Sequence, residues 1–116
     1  MFDLSENEII NNFKTLDIKV SIICCTYNQE KYLSQALEGF LKQKTDFAFE
    51  VLVNDDASTD NTAKIIKEYE TKYPKIIKGI YHKINEYSQG INVFGNTSKL
   101  AKSKYIAICE GDDYWI

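Results

Sequence analysis

Tyr105-Ile106-Ala107-Ile108-Cys109-Glu110-Gly111-Asp112-Asp113 is an apolar, β-branched run that stops abruptly in three carboxylates. A run of this kind reads as a strand buried on both faces, delivering acids to a sheet edge. Earlier in the chain, Phe49-Glu50-Val51-Leu52-Val53-Asn54 runs in the same way into Asp55-Asp56. One acidic pair after a strand can be simple helix capping, because Asp is a preferred N-cap. Two strands that each end in acids predict a negatively charged rim. Such a rim suits a hard divalent cation, which prefers oxygen ligands.

Working outward, Lys19–Cys25 reads as a first buried strand and Thr26-Tyr27-Asn28 as the turn after it. Apolar residues at Leu33, Ala36, Leu37, Phe40 and Leu41 have helical spacing and predict a helix over 30–43. After the second strand, Ser58-Thr59-Asp60-Asn61 supplies N-cap chemistry for a helix carrying Ile65, Ile66, Tyr69 and Tyr73, which Pro74 ends. A third strand is predicted within 75–81, a polar loop over 82–92, a short helix over 94–102 and the fourth strand over 104–109. Before all of this, Ser5-x-x-Glu8 ahead of Ile9, Ile10 and Phe13 predicts a capping box and a short helix. Residues 1–17 are therefore expected to form an N-terminal helical extension, and 18–116 one ligand-binding unit. The βαβαβαβ order predicts an α/β fold: a Rossmann-like three-layer αβα sandwich with a mostly parallel sheet. Ligands of such sheets bind at the carboxyl ends of the strands. Both acidic pairs fall there, and they face one cleft if the first strand lies between the second and fourth.

The chain of 116 residues has room for one modest core. Its net charge is −3 and all 14 basic residues are Lys. With no basic stripe and no Arg to grip bases or phosphates in bidentate fashion, a nucleic-acid partner is not expected. No apolar stretch reaches membrane-spanning length, and the polar, acidic N-terminus is not a signal peptide. Cys24, Cys25 and Cys109 show no metal-ligand spacing and read as reduced core residues in a cytoplasmic setting.

Neither G-x-x-x-x-G-K-[ST] nor G-x-G-x-x-G occurs after the first strand, so a P-loop nucleotide site and a dinucleotide fingerprint are both excluded. His82, the sole histidine, reads as a loop residue rather than a base. A receiver-type phosphoacceptor domain would need its acid pair after the first strand, where this chain has Cys-Cys-Thr. What remains is a cleft of carboxylates and aromatic groups, in which a metal could neutralise a diphosphate leaving group.

Three blocks, KVSIICCTYNQEKYLSQALEGFLKQ, FEVLVNDDASTDNT and AKSKYIAICEGDDYW, occur in this order and resemble the consecutive signatures of family 2 glycosyltransferases. The resemblance runs from about Ile18 to Trp115. It implies a GT-A fold, a nucleotide-sugar donor and a metal-dependent, inverting sugar transfer to a glycan, lipid-linked or other hydroxyl acceptor, in the setting of polysaccharide biosynthesis. By the same resemblance, Thr26, Tyr27 and Asn28 stand where the loop after the first strand meets the nucleoside, with Tyr27 flanking the base. Asp56 stands where a carboxylate accepts from the base, typically uracil, and Asp55 reads as a structural cap. Glu110-Gly111-Asp112-Asp113 occupies the D-x-D position. Glu110 replaces the usual first Asp and puts the ribose contact in doubt. Asp112 is expected at the nucleotide and, with Asp113, at Mn2+ or Mg2+. An Arg common before the fourth strand is absent, leaving phosphate contacts to Lys83 or backbone amides.

The family's catalytic base lies downstream of the D-x-D block, so it is expected beyond Ile116. The chain is therefore expected to be a donor-binding half, inactive alone. Tyr114 and Trp115 are then expected to be open to packing and to favour self-association. The setting is cytoplasmic, with a peripheral place at the inner membrane face compatible with a lipid-linked acceptor. A non-catalytic nucleotide- or metal-binding α/β module is the alternative.

Overall fold

The computed structural model describes residues 4–103 and 105–110, with Glu110 described by its backbone alone. Four strands, β1 (Ile18–Thr26), β2 (Ala48–Asp55), β3 (Ile77–Tyr81) and β4 (Tyr105–Glu110), alternate with α2 (Leu33–Leu41), α3 (Thr62–Lys72) and α4 (Val93–Ser98). The short α1 (Glu6–Ile10) precedes them. The sheet is parallel throughout, in the order β3-β2-β1-β4. β1 thus lies between the two strands that end in acids. The chain moves from β1 to β3 in one direction and then crosses back to β4. Right-handed crossovers accordingly place α2 and α3 on one face and α4 on the other.

The two faces differ in chemistry. Ile22, Cys24, Val51, Val53 and Ile77 point into an apolar core with Leu33, Leu37 and Phe40 of α2 and Ile66 of α3. The alternate residues Ser21, Ile23, Glu50, Leu52 and Asn54 are buried as well, on the opposite face by strand periodicity. β2 is buried along its whole length, including Glu50, Asn54 and Asp55. β4 departs from the expectation of a strand buried on both faces. Cys109 is buried, but Ile106 and Ile108 are exposed. Among the described residues β4 pairs with β1 alone, and the six-residue α4 is too short to cover it.

Helix boundaries shift for identifiable reasons. α2 begins at Leu33 rather than Glu30, and the N–H groups just before it are held by the neighbouring loop: Gln29 N donates to Thr62 Oγ1 (2.9 Å) and Glu30 N to Asp60 Oδ2 (3.3 Å). α4 ends at Ser98 rather than Lys102, whose N–H is drawn to Glu50 Oε2 at 2.9 Å. The capping box at α1 forms as expected, with Glu8 N donating to Ser5 Oγ and Ser5 Oγ to Glu8 Oε1. The N-terminal segment packs on the unit: Ile9 is buried and Phe13 meets Phe49 edge-to-face at 5.6 Å. Among the described residues, no helix is long and apolar enough to cross a membrane.

Tyr69 ties α3 to α2 by donating its hydroxyl to Glu38 Oε2 at 2.5 Å. Burial, and then the bond to Glu38, push this phenol above its ordinary value of 10.0. The folded state therefore holds the phenolic proton more tightly than the unfolded chain does. The associated stability is fully present below about pH 10 and is lost as pH rises towards the higher folded value. Tyr69→Phe should flatten the alkaline limb of a stability–pH profile measured by urea denaturation. An unchanged limb would show that this phenol does not set it.

Candidate functional site

The carboxyl ends of the strands are level. Thr26 pairs with Asp55, Asp55 with Tyr81, and Cys25 with both Asn54 and Glu110. The backbone of Glu110 therefore emerges beside the β1 and β2 termini, at the same sheet edge as Asp56. Asp112 and Asp113 lie outside the described residues. Among the described residues, no group of three or more His, Cys, Asp or Glu is arranged to hold a metal.

A cleft of roughly 200 Å³ opens at this edge, lined by Cys25, Thr26, Tyr27, Gln29, Asp56, Tyr87 and Val93. Sequence reasoning selected Thr26, Tyr27 and Asp56 here. It missed Gln29, Tyr87 and Val93: Gln29 is one residue past the turn, and the other two border a loop without periodicity. A second hollow of about 140 Å³ lies by Val20, Phe40 and Phe49 and has no charged side chain in its lining.

Asp56 is 5% exposed. Its N–H extends the ladder to Thr26 O (3.0 Å). Its carboxylate oxygens each accept one backbone bond from the loop after β3: Oδ1 from Glu86 N (2.7 Å) and Oδ2 from Tyr87 N (3.0 Å). Asn85 Nδ2 donates to Asp56 O (3.1 Å). The carboxylate is thereby fixed in orientation, and each oxygen keeps a further lone-pair direction for a ligand. Close by, Thr26 Oγ1 and Gln29 Oε1 are buried without a hydrogen-bond partner. Buried polar atoms are normally satisfied, so orphans lining a cleft are acceptors or donors available to a ligand or water. Tyr27 and Tyr87 are 46% and 80% exposed at the cleft.

Asn28 ties the two loops together. It adopts φ +50°, a left-handed conformation that Asn tolerates. Its Oδ1 accepts from Thr59 N at 2.7 Å and Asp60 N at 3.4 Å, and its own N–H donates to Ser58 Oγ at 2.9 Å. Ser58 also donates, through its hydroxyl, to Asp55 Oδ1, so Asp55 acts within its loop. Asp60 Oδ1 accepts from the N–H (2.9 Å) and hydroxyl (2.5 Å) of Thr62 at the start of α3. Slight desolvation pushes the Asp60 carboxyl up, but the bonds from Thr62 and Glu30 outweigh it and hold the group below the usual range.

His82 is held in a structural chain. The Thr97 hydroxyl donates to Val93 O (2.8 Å), so it must accept from Asn54 Nδ2, also 2.8 Å away. That orients the Asn54 amide and presents its Nδ2 to His82 Nε2 at 2.9 Å. Nε2 is then the acceptor and the proton sits on Nδ1, 3.4 Å from Glu86 Oε1. His82 thus steadies the residue whose N–H grips Asp56.

The family model described as "Glycosyl transferase family 2" matches residues 21–116. The Uncharacterized protein Rv1520 of Mycobacterium tuberculosis is 44% identical over 97 residues, covering 83% of this chain and 27% of the relative. The Escherichia coli UDP-Glc:alpha-D-GlcNAc-diphosphoundecaprenol beta-1,3-glucosyltransferase WfgD is 38% identical over 101 residues, covering 86% and 37%. Among solved structures, S. aureus TarS 1-349 in complex with UDP superposes with a TM-score of 0.70 at 34% identity, covering 84% of this chain and 28% of the TarS 1-349 chain. The mannosyltransferase PcManGT from Pyrobaculum calidifontis, solved with GDP-Man and Mn2+, gives a TM-score of 0.71 over 88% of this chain and 32% of its own, and at 23% identity it supports the GT-A fold alone. The chain spans 27% of the length of the first curated relatives it matches. With the fold, the level acidic edge and the family match in agreement, this chain belongs to glycosyl transferase family 2.

Proposed function

We propose that this chain is the donor-binding part of a glycosyltransferase that uses a UDP-sugar. The observation that carries the reading is the Asp56 carboxylate, buried and oriented by two backbone N–H groups at the floor of the cleft. A carboxylate accepts only, so it selects a base edge that presents an N–H, such as the uracil imide. Thr26 Oγ1, unpartnered beside it, is suited to a carbonyl of the same edge. Tyr27 flanks the ring, and Asn28 holds the turn that carries Tyr27. UDP in the TarS complex and UDP-Glc in the name of WfgD support uridine over other bases.

The backbone of Glu110 ends β4 level with Cys25, which lines the cleft. Asp112 and Asp113 are hard oxygen donors and would hold Mn2+ or Mg2+, with Glu110 facing the ribose. When bound, the cation offsets the charge of the departing nucleoside diphosphate. The sugar is then displaced with inversion by a hydroxyl of a glycan or lipid-linked acceptor. We assign the base that takes the acceptor's proton to no residue of this chain, and we place the reaction in the cytoplasm, at the inner membrane face when the acceptor is lipid-linked.

Calorimetric titration of the chain with UDP, GDP and dTDP, with and without Mn2+, tests this reading. UDP should bind most tightly and gain affinity with Mn2+. Failure of all three to bind in either condition would overturn it.

A further inference from the structure

We propose that Glu50 is a positioning residue for the acidic motif, acting from the opposite end of β4. Glu50 sits in the middle of β2 and is 1% exposed. Its Oε2 accepts from Ser21 Oγ of β1 at 2.6 Å and from the N–H of Lys102, just before β4, at 2.9 Å. Ser21 Oγ lies 2.8 Å from Ser103 Oγ, and Ser103 Oγ donates to Tyr105 O at 2.7 Å. One buried carboxyl therefore links β2, β1 and the entry of β4 on the α4 face of the sheet.

β4 needs such a link. Register is strongly specified only where one strand face is buried, and a one-residue slip sends every side chain to the other face. On β4, Ile106 and Ile108 are exposed, and so is Tyr105. A slipped β4 would turn an isoleucine inward in place of Ala107 or Cys109, which burial alone does not strongly oppose. The Glu50 clamp fixes Lys102 directly and holds Ser21, whose Oγ abuts Ser103, and the strand then carries that register to Glu110, paired with Cys25. Six residues at about 3.3 Å each separate the clamp from the cleft by about 20 Å, so Glu50 cannot touch a nucleotide there.

The functional half of this inference rests on the proposed metal role of Asp112 and Asp113; the register half does not. Amide hydrogen exchange and UDP calorimetry on the 116-residue chain separate them. Glu50→Ala should speed exchange at Lys102 and along β4 while the β2–β3 amides stay protected. It should lower the Mn2+-dependent part of UDP affinity by about 10–100-fold, as supporting partners of metal ligands do, and leave the Mn2+-independent part unchanged. Glu50→Gln keeps an oxygen for Ser21 and Lys102 and should rescue most of both effects. Ser103→Ala, milder and peripheral, should give a smaller change in the same direction and serves if Glu50→Ala fails to fold. Unchanged β4 exchange in a folded Glu50→Ala, or in Ser103→Ala where Glu50→Ala does not fold, would overturn the clamp. Equal loss of metal-dependent and metal-independent binding would overturn its link to the motif. A wild-type chain whose UDP binding ignores Mn2+ would instead overturn the metal reading, with the exchange result still standing.

Discussion

Asp56→Ala should both loosen the loop after β3 and abolish most recognition of the base. Two effects add at this one carboxylate. The N–H groups of Glu86 and Tyr87 lose their acceptor, and the loop they anchor carries Tyr87, which lines the cleft. Tyr87 is largely exposed, so water can reach part of the vacated site. The stability cost should therefore be about 1–3 kcal/mol, the range for one unsatisfied group rather than the sum for two. On the ligand side, the imide N–H of the base would be desolvated without a partner. UDP affinity should fall about tenfold to a hundredfold, equivalent to about 1.4–2.8 kcal/mol. Asp56→Asn should be almost as damaging as Asp56→Ala. Both carboxylate oxygens are in use as acceptors, so an amide must point its NH2 at one backbone N–H. Urea denaturation and calorimetry with UDP, beside pyrophosphate as a ligand without a base, check this. If both ligands lose affinity equally, or if Asp56→Asn behaves like wild type, Asp56 does not read a base.

The parts of this architecture that were legible in the sequence are those written in periodicity. The β-branched apolar runs ending at Asn54 and Cys109 and the helical spacing of Leu33, Leu37 and Phe40 specify strands and a helix, although Ile106 and Ile108 of β4 are exposed. Strand order stayed open in the sequence, and the structure places β1 between β2 and β4. The capping box at Ser5 and Glu8 was legible because it is local. At the start of α3, by contrast, Ser58, Thr59, Asp60 and Asn61 are all competent caps, and local chemistry does not rank them. Their ranking comes from the neighbouring loop, where Asn28 engages Ser58, Thr59 and Asp60, leaving an Asp60 oxygen for Thr62. The partners of Asp56 were hidden for a related reason. They are backbone N–H groups in a stretch, 82–92, whose side chains carry no repeating pattern. Glu50 was equally hidden: nothing in the sequence pairs this acid, inside an otherwise apolar FEVLV run, with Ser21 or with the segment that enters β4.

Asparagine at both Asp112 and Asp113 should abolish the metal dependence of UDP binding without weakening the metal-free binding. The rim already carries Asp55, Asp56 and Glu110, the whole chain is at −3, and no Arg offsets a diphosphate. Two like charges 4 Å apart repel by about 4 kcal/mol at an effective dielectric constant of 20. On the proposed reading that repulsion should suppress UDP binding by the native chain until a divalent cation intervenes, so added Mn2+ should raise affinity steeply. The double Asn variant loses two of the repelling charges along with the cation's ligands. Without metal it should bind UDP at least as tightly as the native chain does without metal, and added Mn2+ should change its affinity little. A loss of binding caused by disrupted folding would instead lower affinity in both conditions, so the sign of the metal-free change separates the two causes. Calorimetry in EDTA and in Mn2+ makes the comparison. A double variant that still gains affinity from Mn2+ as the native chain does would place the cation on other residues. Weaker metal-free binding by a well-folded variant would mean that these carboxylates contact the nucleotide directly.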